Sequence, residues 1–221
     1  MRLCALGFFV NCQPSEPFLT EYMLDTKNLT DSQLSSDVWP WSTTGTFIFL
    51  LPAGLAAELV GARRVIVIGL VCRECTRAIL IFAEGVTWMA VMQLAYAGGV
   101  AANAIYFSYV YTVVPPELFA TMTALVLAAY HAGNVVGALV AQAIVSSCPS
   151  VAADLTPLFY LSWGFTTVGL CCSLLLPPPI REPPPALARQ LVRYGARATW
   201  AELRSLYQPA EVSERPEFAA M

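Results

Sequence analysis

Glu16 lies in Pro14-Ser15-Glu16-Pro17, a carboxylate between two prolines inside an otherwise apolar run. Proline lacks a backbone donor and its ring crowds the preceding turn, so the pair must interrupt any helix that contains it. An acid at such a break either binds a cation or an N–H donor of a ligand, or caps the helix that resumes at Phe18. A second group is Arg73, Glu74 and Arg77, also within an apolar stretch. Glu74 and Arg77 are three residues apart and share a helix face, so they either form an internal salt bridge or, with Arg73, line a solute cavity. A third group, Tyr96, Gly99, Asn103 and Tyr106, recurs at spacings of three and four, which makes it a packing stripe or a binding surface on one helix face. All of these side chains bind reversibly. No nucleophile–base pair, metal-ligand cluster or phosphate loop accompanies them, so the sequence predicts neither an enzyme nor a cofactor nor a metal.

Ionisable groups in apolar runs need helices at membrane depth to position them, and the composition supplies such helices. Of 221 residues, 57% are hydrophobic and 12% charged, with a mean hydropathy of +0.61. Soluble domains carry about 25% charged residues, so lipid is the expected solvent. The net charge of −3 argues against nucleic acid as a partner. A spanning helix needs about 20 mostly apolar residues, and six segments qualify: 2–24, 38–60, 64–83, 87–112, 119–146 and 156–177. The first could also be read as a signal peptide, but its apolar pattern continues past the prolines through Phe18–Leu24. The fold class predicted is all-α, a polytopic bundle of six transmembrane helices over 1–177, followed by a cytoplasmic segment, 178–221, with an amphipathic helix and a disordered end. Seven cysteines, mostly in apolar runs, read as reduced packing residues, the CxxC of Cys72 and Cys75 included. Ala129, Gly133, Gly137 and Ala141 form a small-residue seam for helix contact. His131, the lone histidine, reads as buried packing, with proton coupling as the alternative.

Basic loops stay cytoplasmic. Arg63 and Arg64 follow the second segment and Arg181, Arg189, Arg193, Arg197 and Arg204 follow the sixth, whereas the loop after the first holds Glu21, Asp25, Asp31 and Asp37 against Lys27. Both termini are therefore expected inside and the acidic loop outside. That loop carries Asn28-Leu29-Thr30, a glycosylation sequon on the side where glycans are added.

GFFVNCQPSEPFLTEYMLDTKNLT at 7–30, with YFSYVYTVV at 106–114 and GALVAQ at 137–142, resembles the folate and thiamine carriers among the solute carriers. The thiamine branch is the more similar, and the likeness spans roughly residues 6 to 145. It implies the N-terminal half of a major facilitator-type fold and movement of thiamine or reduced folate by alternating access at the plasma membrane. By resemblance Glu16 is a substrate-site acid, Trp39 a ligand-stacking aromatic and Tyr106 a tyrosine of the thiamine site. Asn103 stands where the thiamine branch has glutamate and the folate branch arginine. Ser42 replaces a tryptophan, Leu127 an arginine and Arg77 a tryptophan.

The substrate-binding set expected is thus Glu16, Trp39, Asn103, Tyr106, Arg73, Glu74 and Arg77, with Asn28 the glycosylation site. If Glu74 pairs with Arg77, charge preference rests on Glu16, and a cationic or neutral heteroaromatic vitamin is expected over a folate dianion. The chain has room for one six-helix half. Its expected partners are the lipid bilayer, a small-molecule vitamin, and a second six-helix half or another copy of itself. The alternative is a truncated, non-transporting membrane protein that acts as a partner subunit.

Overall fold

The computed structural model describes residues 1–180, which form helices and turns with no strand among them. The amphipathic helix and disordered end expected beyond them lie outside the described residues. The first apolar run is not one helix. It consists of α1 (Arg2–Asn11), a tight turn at Glu16–Phe18 and α2 (Leu19–Asp25), broken where Pro14 and Pro17 withhold their donors. Thr30 then starts a short helical stretch through a capping box, its hydroxyl accepting from Gln33 N while Gln33 Oε1 accepts from Thr30 N. The long helices follow: α3 (Pro40–Val60), α4 (Ala62–Phe82), α5 (Val86–Val113), α6 (Phe119–Ser147) and α7 (Thr156–Leu174).

Of the six expected spans, four correspond to stretches long and apolar enough to cross a membrane: Asp31–Val60, Val86–Val113, Pro116–Ser147 and Thr156–Leu174. The other two fall short for physical reasons. The first is interrupted at its prolines. The third, α4, carries Arg63, Arg64, Arg73, Glu74 and Arg77 within 21 residues.

Two apolar cores occupy opposite ends of the bundle. One gathers Tyr22, Met23, Leu34, Leu80, Met89 and Phe159. The other gathers Leu3, Leu6, Ile66, Tyr109, Val126 and Leu176. Between them lies a buried polar layer that includes Gln13, Ser15, Arg73, Thr76, Arg77, Gln93, Ser162 and Thr166. Arginines collect at the second core's end, where Arg2 and Arg63 donate to the Leu175 and Leu174 carbonyls that end α7.

The small-residue seam meets the broken helix. A Cβ on Gly133 would lie 2.4 Å from the Phe8 carbonyl oxygen, and one on Gly137 would lie 2.7 Å from Gln13 N. Only glycine allows two backbones this close. His131 is exposed and stacks edge-on against Tyr130, which corrects its reading as buried packing. It projects from a face of α6 that no other helix among the described residues covers. Much of the outer face is apolar, with Phe47, Leu51, Val135 and Leu139 exposed. The seven cysteines are free thiols, of which Cys12 alone is buried.

Candidate functional site

The site begins at the break between α1 and α2. Interrupting a helix leaves its last carbonyls without partners; Gln13 Nε2 donates to one of them, Val10 O, at 2.5 Å, while Asn11 Nδ2 adds a bond to Gly7 O, still within α1, at 2.8 Å. Ser15 N, freed from helical bonding, donates to Ser162 Oγ of α7 at 2.8 Å. From α4, Arg77 donates to Gln13 Oε1, to Ser15 Oγ at 3.2 Å and to Glu16 Oε1 at 3.3 Å. One guanidinium thus ties three consecutive polar side chains of the break.

Glu74 does not pair with Arg77, contrary to the sequence expectation. Its Oε2 accepts from Trp163 Nε1 at 2.5 Å and Thr167 Oγ1 at 3.2 Å, and its Oε1 is buried without a partner among the described residues. Helix geometry gives the reason. Arg73 and Arg77 are four residues apart and point toward α1 and α5, while Glu74, about 100° around the helix from Arg73, points toward α7. Glu74 therefore stands apart from the cavity residues with which the sequence grouped it. The carboxylate of Glu16 goes to Arg77 rather than to a helix N-terminus, so it does not act as the cap.

Two hollows flank this arrangement. The wide cavity, about 140 Å³, is lined by Glu16, Leu19, Trp39, Ser42, Thr76, Arg77, Leu80, Met92, Gln93 and Tyr96. It shares Ser42 and Tyr96 with an open groove along α3 and α5. The narrow crevice, about 20 Å³, lies among Asn11, Gly69, Arg73, Gly99, Asn103 and Tyr106. That is room for about one water molecule. Gln13, Arg73, Thr76, Arg77 and Tyr96 close the space between the two, leaving no room for a water molecule.

The sequence-predicted residues therefore divide. Glu16, Trp39 and Arg77 meet at the wide cavity, whereas Arg73, Asn103 and Tyr106 meet at the narrow crevice. Tyr106 is buried and donates to Leu3 O at 2.7 Å, which fixes its ring away from the cavity. Arg73 is buried, with its stem against Gly99 and its guanidinium 5.8 Å from the Tyr96 ring centre. Among the described residues no carboxylate pairs with it.

Gln93 and Thr76 were missed by the sequence reading. Gln93 precedes Tyr96 by three residues, so extending the α5 stripe by one turn would have found it. Lys27 was also underrated. Its Nζ donates to the Ile81 and Ala83 carbonyls at 2.9 Å each, tying the acidic loop to the end of α4. Burial pushes its ammonium below the usual lysine range, against the opposing pull of Glu84. Asn28 is exposed, with φ 53°.

A family model described as Reduced folate carrier matches residues 1–183, so the likeness continues through α7, where the sequence motifs had faded. Thiamine transporter 2 of Homo sapiens is 34% identical over 185 residues, 80% of this chain and 35% of that protein. Thiamine transporter 1 of Mus musculus is 33% identical over 178 residues, again 80% of this chain and 35% of that protein. Folate transporter 1 of Caenorhabditis elegans is 28% identical over 176 residues, 79% of this chain and 38% of that protein. The chain spans little more than a third of the length of these relatives.

Proposed function

The chain belongs to the reduced folate carrier family, and from that premise we propose that it forms one wall of a vitamin-transport path. Its relatives are named as thiamine and folate transporters, and a vitamin of that kind is the proposed cargo. The six segments correspond to the N-terminal half of a major facilitator-type fold, working by alternating access against a second six-helix half. The observation that carries this reading is the polar layer at mid-bundle. Gln13, Thr76, Arg77 and Gln93 are buried between two apolar cores, beside a cavity into which Glu16 and Trp39 project. Polar groups are costly at membrane depth and are retained where they face a solute path. The apolar exterior supports a multi-pass protein in lipid, the arginines at one end support cytoplasmic termini, and the plasma membrane is the proposed location. The exposed Asn28 then lies outside, where it is the proposed glycan acceptor.

The chain's length relative to its relatives favours a second reading, a non-transporting partner subunit. Uptake of labelled thiamine and labelled folate separates the two. Cells lacking their own carriers would express the full chain with and without a second six-helix half. Uptake of either vitamin that requires this chain supports the transport reading, and no uptake of either supports the partner-subunit reading. Orientation is checked separately: glycosidase treatment should shift the protein's mobility, and Asn28→Gln should remove the shift. A C-terminal epitope reached from outside intact cells would overturn the orientation.

A further inference from the structure

Among the described residues, the wide cavity has two charged lining groups, Glu16 and Arg77, and they are paired with each other at 3.3 Å. The pair is held unequally: the Arg77 side chain is 5% exposed and that of Glu16 is 41% exposed. Arg77 also donates to Gln13 Oε1 and Ser15 Oγ, so its guanidinium is fixed against the proline break and cannot swing away when a ligand arrives. The other charges of α4 stay out of this cavity. Arg73 lines the narrow crevice, and Glu74 bonds Trp163 and Thr167 on the α7 side. Two guanidiniums and two carboxylates thus balance at this level of the helix. The remaining polar lining, Ser42, Thr76, Gln93 and Tyr96, is uncharged and offers both hydrogen-bond donors and acceptors, and Trp39 adds an aromatic face.

Opposite charges in contact act as a dipole, whose field weakens faster with distance than that of a lone charge. A ligand ion beside Glu16 is also close to Arg77, drawn by one and repelled by the other. A cation that took Glu16 for itself would leave the buried guanidinium without its anion, which is unfavourable. An uncharged ring demands no such exchange. Glu16 Oε2, which Arg77 does not use, can accept an N–H from it while the pair stays closed. We propose that Arg77 sets the charge specificity of this wall by cancelling Glu16, and that the wide cavity takes an uncharged heteroaromatic ring bearing donors and acceptors. The proposal deepens the transport reading and rests on it for the identity of the cargo. It narrows the sequence expectation, a cationic or neutral ring, to a neutral one, because that expectation left Glu16 free by assigning Arg77 to Glu74.

The test reads the charge of the cavity without any vitamin. Ser42 lines the cavity, so the Ser42→Cys variant of the full chain in lipid nanodiscs is treated with anionic or cationic methanethiosulfonate reagents of matched size. Each rate is divided by that reagent's rate with free 2-mercaptoethanol, and the unsubstituted chain, whose Cys75, Cys148 and Cys171 are exposed, supplies the background. The two corrected rates should agree to within about threefold. Adding Glu16→Gln uncovers Arg77 and should favour the anionic reagent by more than that factor. Adding Arg77→Gln uncovers Glu16 and should favour the cationic one, and the double substitution should restore parity. A larger bias of either sign in Ser42→Cys alone, or a ratio that Glu16→Gln does not move, would overturn the proposal. The Glu16→Gln arm keeps the test decisive should Arg77→Gln not fold, because Glu16 is exposed. The ligand class is read from protection of Ser42→Cys by three rings of one shape: neutral nicotinamide, anionic nicotinate and cationic 1-methylnicotinamide. Nicotinamide should protect best, and stronger protection by either ion, or none by any of the three, would overturn the neutral-ring assignment. Parity without vitamin uptake would sink the transport reading and leave this one standing, and uptake with a biased ratio would do the reverse.

Discussion

The wide cavity and the narrow crevice are built by the same two helices a turn or two apart, yet one admits several waters and the other about one. The difference lies in side-chain size along α5 and in what α1 does opposite. At the crevice, Gly69 meets Ala102 so closely that a Cβ on Gly69 would lie 2.0 Å from the Ala102 Cβ, and Gly99 receives the stem of Arg73. Small residues let α4 and α5 close on each other. At the cavity, α5 presents Met92, Gln93 and Tyr96, and the break after Asn11 pulls the chain away from a regular helix. The two arginines follow the same division. Arg77, opposite the break, finds three acceptors, whereas Arg73, opposite intact helix, finds a ring face. A break in one helix thus creates both the hollow and the hydrogen-bond partners that hold a charge beside it.

The strongest way to break this contrast is to disturb the packing of the proline break on α6, which holds the partners of Arg77 in place. Gly137→Leu would drive a side chain into Gln13, whose N lies 2.7 Å from where the Cβ would be. The expected loss is about 3 kcal/mol, seen as disappearance of the monodisperse peak on size exclusion. Wild-type behaviour of this variant would mean that the broken helix does not pack on α6 as described.

The two arginines offer a sharper comparison. Arg77→Leu leaves Gln13 Oε1 and Ser15 Oγ without their donor and should cost about 2 kcal/mol. Arg73→Leu removes a buried charge with no carboxylate partner among the described residues and should be neutral or stabilising. Melting curves of both variants in one detergent give the answer, and equal losses would dissolve the distinction between the two regions.

Within the crevice, Tyr106→Phe deletes the bond to Leu3 O and should cost about 1 kcal/mol. Its loss should add to that of Arg77→Leu, because Tyr106 does not line the cavity. A non-additive loss in the double variant would show the two hollows to be one site. The smallest effect is expected from Glu16→Gln. A half-exposed ion pair is screened by solvent, so the change in stability should stay below about 0.5 kcal/mol. A larger loss, measured by the same melts, would make Glu16 a packing residue.

The sequence by itself determined the solvent and the interruptions. Long apolar runs with few charges call for helices in lipid, and two prolines three residues apart must break one of them, whatever its neighbours. Periodicity also placed Tyr96, Gly99, Asn103 and Tyr106 on one face and the Gly133–Gly137 seam on another, because a helix repeats locally. What periodicity could not supply was the element facing each stripe. Glu74 and Arg77 are near in sequence and were paired for that reason, yet Arg77 bonds Glu16, 61 residues away, and Glu74 bonds Trp163, 89 residues away. Only the packing of α4 against α5 and α7, with the proline break opposite Arg77, decided those partners. The split of one predicted binding set into a cavity and a crevice was likewise tertiary. It depends on how closely two helix backbones approach, which small residues permit but a single strand of sequence does not reveal.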